Sequence, residues 1–127
     1  MTASDKQQVL RQWERFITNG CRPEHFTEKL YEHLYLHCSF IAHYNIAGFY
    51  NTYFVDGQNT LAFIDHFTTD INEDPYWMKG DYADINEAMC EVVRAYEPQL
   101  RKQFSARAIE QIDSRIETLR RQREQLA

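Results

Sequence analysis

Histidine, cysteine and tyrosine side chains carry most of the chemistry available to this 127-residue chain, which has 5 His, 3 Cys and 8 Tyr. His33 and His37 stand four residues apart, so a helix places one imidazole above the other. An HxxxH pair of this kind can turn two ring nitrogens toward a single ion. At roughly 100° per residue, both rings fall on the same side as Phe26, Leu30, Phe40 and Tyr44. The pair therefore points at the expected core. A zinc or similar transition-metal site would want a third ligand. His66, beside Asp65 on a separate short helix, is the candidate, since Glu32 lacks the placement of the base in HExxH. The alternative is two buried histidines whose nitrogens are satisfied by neighbouring hydroxyls. Burial of His33 and His37 is expected on either reading.

Other templates for chemistry fail on particular residues. Cys21, Cys38 and Cys90 are odd in number and lack CxxC spacing, which supports neither a disulfide framework nor a zinc knuckle. His37 and Cys38 are adjacent and so point about 100° apart on a helix, which does not make a nucleophile and its base. The run Asp70-Ile71-Asn72-Glu73-Asp74, with Asp81 eleven residues after its start, matches the opening of an EF-hand calcium loop. Its sixth position is Pro75, where that loop makes a sharp turn on glycine. No glycine-rich phosphate cradle and no nucleophile elbow occurs among the 4 glycines. No catalytic residue is assigned and no cofactor is expected, with a divalent metal as the alternative.

The elements that would position these residues are helices. With 4 Gly and 3 Pro, the chain has too few breakers for an all-β fold. Val9, Leu10, Trp13, Phe16 and Ile17 form an apolar stripe after Ser4 and Gln7, which read as a capping box. Asn19-Gly20 ends that helix. A second helix starts near Pro23 and runs to about Tyr44. The stripe Ile46, Phe49, Tyr50, Tyr53, Phe54 follows, then a turn at Asp56-Gly57 and a short helix from Thr60 to Thr68. Residues 69–80 read as an irregular acidic connection. Tyr82, Ile85, Met89, Val92, Val93 and Tyr96 define another helix, which Pro98 is expected to end or kink. The expectation is an all-α, single-domain bundle of five or six helices, with a body over residues 1–97 and a C-terminal helical arm over 98–127.

The arm carries a short coiled-coil-like seam. Ile109, Ile112, Ile116, Leu119 and Leu126 occupy a and d positions of a heptad, with Arg123 in the remaining a position. Something must cover such a seam, either the chain's own body or another helix. Tyr31 and Tyr35 fall on the side of helix two away from the core stripe, where aromatic rings suit a protein interface or a neighbouring helix. The net charge is −5, and it is unevenly spread: the first 99 residues hold 7 basic and 15 acidic side chains, the last 28 hold 7 and 4. Direct binding to nucleic acid is not expected from that balance, and no apolar run reaches the ~18 residues of a membrane span. A cytoplasmic, non-enzymatic interaction protein, self-associating as a homodimer or docking a protein partner, is the leading expectation. A metal-dependent helical protein comes second, and an acidic protein that blocks a nucleic-acid-binding partner comes third.

Overall fold

A computed structural model describes residues 3–37, 45–68 and 83–127. Five α-helices and no strand occur among them: α1 (Ala3–Thr18), α2 (Glu28–His37), α3 (Ile46–Tyr50), α4 (Gly57–Thr68) and α5 (Ala83–Leu126). A 3₁₀ turn over Pro23–His25 precedes α2, and a π-helical turn over Asn51–Val55 continues α3. The all-α reading of the sequence holds. The acidic stretch with the calcium-loop spacing lies outside the described residues, as does Cys38.

Local signals explain where the helices start and stop. Gly20 adopts a left-handed φ of 80°, the Cys21 amide donates to the Phe16 carbonyl and the Gly20 amide to that of Ile17. That pair of bonds is a Schellman closure, so α1 ends where Asn19-Gly20 predicts. Pro23 opens the 3₁₀ turn rather than α2 itself. The cap of α2 is Thr27, whose hydroxyl accepts from the Leu30 amide. Asn45 caps α3 by accepting from the Gly48 amide at 2.7 Å. Asp56 caps α4, accepting from the amides of Gln58 and Asn59.

The core is a chain of touching rings. Trp13 and Phe16 of α1 meet Phe67 and Phe54, Phe54 meets Phe63, and Phe16 also meets Phe26, with centroids 4.9–5.2 Å apart. The π-helical turn makes this possible. Its wider i→i+5 bonding brings Phe49 and Phe54 to the same buried side, where a regular α-turn would send them apart. The Trp13 indole donates to the Met89 carbonyl at 3.0 Å, joining α1 to α5.

Pro98 does not end the last helix. α5 runs unbroken for 44 residues, about 66 Å at the usual helical rise. The proline sits on the solvent side, where the Arg94 carbonyl that loses its helical donor can face water. Interruption there costs roughly 3 kcal/mol, and it is outweighed because Ile85, Met89 and Val93 before it and Leu100, Phe104 and Ala108 after it are all buried. Two separately packed helices would have to keep both rows in one core across a break.

Candidate functional site

The second half of α5 leaves the body. Ala108 is its last buried residue, Gln111 and Ile112 are half-buried, and every side chain from 113 to 127 is exposed. The root of this arm is clamped to the end of the π-helical turn. Such an end leaves carbonyls without helical donors, and four side chains supply them: Asn59 to the Thr52 carbonyl, Thr60 to that of Tyr53, Arg107 to that of Phe54 and Gln111 to that of Val55. Gln111 also accepts from the Gly57 amide at 2.9 Å. Gly57 is the contact point of α4 and α5, since a Cβ there would lie 2.6 Å from the Phe104 carbonyl oxygen and 2.7 Å from the Ala108 nitrogen. Arg101 adds ion pairs to Asp65 of α4 and to Glu97, and both partners hold its guanidinium above its ordinary pKa.

Beyond that root the seam is open. Ile109 is 59% exposed, Ile116 44%, Leu119 62% and Leu126 89%. The described body leaves these four side chains open to solvent. Its remaining side chains are polar or charged, and Arg121 pairs with Glu117 one turn back along the same helix. A free helix of this length would be marginal in water. This one extends a helix already nucleated on the body, so a partner would meet it preformed.

The histidines divide. His33 is 3% exposed, between α2 and α5, and its Nε2 donates to Oδ1 of the equally buried Asn86 at 3.0 Å. Burial of His33 is as expected, whereas the His37 side chain lies outside the described residues. His66 is half-buried on α4 in a shallow cleft with Thr52, Tyr53, Asn59 and Phe63. Among the described residues, no group of three potential metal ligands gathers. Tyr31 and Tyr35 stack loosely at 6.0 Å, and Tyr31 stands edge-on to Phe49 at 5.6 Å. Both are half-buried. A neighbouring helix, α3, covers Tyr31, so this ring packs the body instead of forming an open aromatic patch.

Asn86 and the clamp residues were not singled out by sequence. Asn86 follows Ile85 in the helical register, and only the position of α2 makes its amide a core group. The polar cleft beside Gly20 spends its groups on main-chain carbonyls: Tyr50 on Cys21, Gln103 on Gly20, Arg107 on Phe54. Burial pushes the Cys21 thiol up to about 12, with Arg107 pulling weakly the other way. That thiol is not a nucleophile at neutral pH. Comparison with protein-family models, curated proteins and solved structures finds no match to this chain.

Proposed function

We propose that this protein is a non-catalytic self-association module, in which the bundle holds out a rigid arm whose seam pairs with another helix. The observation that carries the reading is the row Ile109, Ile116, Leu119 and Leu126, exposed on a helix that the body anchors through Arg107, Gln111 and Gly57. Fully burying each aliphatic side chain is worth roughly 1.5–3 kcal/mol, and exposed apolar rows of this kind mark interaction sites. No helix among the described residues is long and apolar enough to cross a membrane, so the row has no membrane-spanning use there. The reading includes no metal and no catalytic group.

Light scattering tests it. Wild type is expected near twice 15.2 kDa, with the mass falling on dilution. The Ile116→Asp, Leu119→Asp double variant is expected to be a folded monomer, because both side chains project from the body. A wild type that stays monomeric at high concentration defeats self-association. Metal analysis of protein purified without an affinity tag is the second check: about one transition-metal ion per chain would replace this reading with the histidine-based one.

A further inference from the structure

We infer that the second helix is the same arm of a second copy, running antiparallel, with Ile109 of each chain opposite Leu126 of the other. This inference rests on the self-association proposed above and adds its geometry. In that register every a position meets a d position of the other chain: Ile109 with Leu126, Ile112 with Arg123, Ile116 with Leu119, each twice. The six layers use the whole arm, with no seam residue left over. From residue 113 to 127 the arm stands clear of the described body, with Ile112 half-buried at its root.

Charge decides the direction. The positions flanking the seam are Asp113 and Arg120 on one side and Arg115 and Gln122 on the other, all exposed. In a parallel pair, Arg115 of each chain faces Arg120 of the other, and the two Arg123 side chains meet inside the seam. Both arrangements set like charges against each other. In the antiparallel pair, Asp113 of each chain faces Arg120 of the other, Arg115 faces the neutral Gln122, and Arg123 lays its aliphatic stem against Ile112. Two repulsive contacts become two attractive ones, and the charged layer is separated from its twin.

The test uses two single-cysteine additions, Ile109→Cys and Leu126→Cys, in the full chain, with oxidised wild type as the baseline. In the antiparallel register the two residues at 109 lie about 25 Å apart. A disulfide requires Cα atoms within roughly 7 Å. Neither variant alone is therefore expected to cross-link above baseline, while an equimolar mixture forms a disulfide-linked dimer. Cross-linking of each variant with itself would overturn the antiparallel geometry and leave self-association standing. A monomeric wild type without any cross-link would overturn both, and would assign the seam to a different protein. Arg120→Asp gives an independent sign. The antiparallel pair weakens on the order of tenfold when two attractions become repulsions, and Asp113→Arg in the same chain restores it. A tighter dimer with Arg120→Asp alone would overturn the inference, since a parallel pair gains an attraction to Arg115.

Discussion

Gly57→Ala is the most direct probe of how the body holds the arm, because propensity and packing predict opposite signs. In a helix whose φ is compatible, replacing glycine by alanine ordinarily stabilises by about 0.4–1 kcal/mol through the unfolded chain. At position 57 the added methyl would stand 2.6 Å from the Phe104 carbonyl oxygen, 2.7 Å from the Ala108 nitrogen and 3.0 Å from its Cα. All three are backbone atoms of α5 and cannot rotate away. Relief to ordinary contact moves α4 outward by close to 1 Å, which stretches the Gly57–Gln111, Gln111–Val55 and Arg107–Phe54 hydrogen bonds, now 2.9, 2.9 and 3.0 Å, out of range. Three such bonds at about 0.5–1.5 kcal/mol each, offset in part by water and by the alanine gain, leave a net loss of about 1–3 kcal/mol. Urea unfolding in the monomeric Ile116→Asp, Leu119→Asp background measures it free of assembly. The midpoint is expected to fall by roughly 0.5–1.5 M, given a urea dependence near 2 kcal/mol/M. Gln58→Ala, one residue along and exposed, is the control and should move the midpoint little. A Gly57→Ala protein as stable as its parent, or more so, would refute the close-contact argument and with it the clamp.

Two further outcomes follow from the environments of single groups. The Cys21 thiol, buried and pushed up to about 12, should remain unalkylated by iodoacetamide at pH 8 in the native protein and react only when the chain unfolds; rapid native labelling at Cys21 in peptide mapping would contradict the packing. The Asp84 carboxyl is held below its ordinary pKa first by the Ile85 amide and then by Lys6, so its contribution is present at neutral pH and disappears as pH falls through the folded-state pKa. Asp84→Asn should therefore be less stable than wild type at pH 7, with the gap closing in acid, and a gap constant with pH would show that the charge is not involved.

Much of this architecture was legible in the residue order because the signals are local. The stripe from Val9 to Ile17 and the Asn19-Gly20 stop each concern groups within a few turns of one helix, and no distant part of the chain is needed to satisfy them. The placement of His33 in the core followed in the same way from helical periodicity. The heptad of Ile109, Ile112, Ile116 and Leu119 was equally plain, since spacing of 3 and 4 along a charged helix has one geometric meaning. Tertiary structure decided what surrounds these residues. Pro98 reads as a break on local rules, yet the helix continues because the buried rows on either side of it belong to one core and the proline faces water. Tyr31 suits an interface or a neighbouring helix equally until α3 is laid beside it. Gly57 reads as a turn residue until the backbone of Phe104 and Ala108 comes within a methyl's reach, and Gln111 reads as an ordinary surface amide until the Val55 carbonyl needs a donor. Whether the arm's seam was covered by its own body could not be read from periodicity, because a helix face with one apolar edge is the same sequence in either case. The answer lies in where the last buried contact falls. After Ile112, every described side chain of α5 is exposed, and the edge that follows is left to water or to another helix.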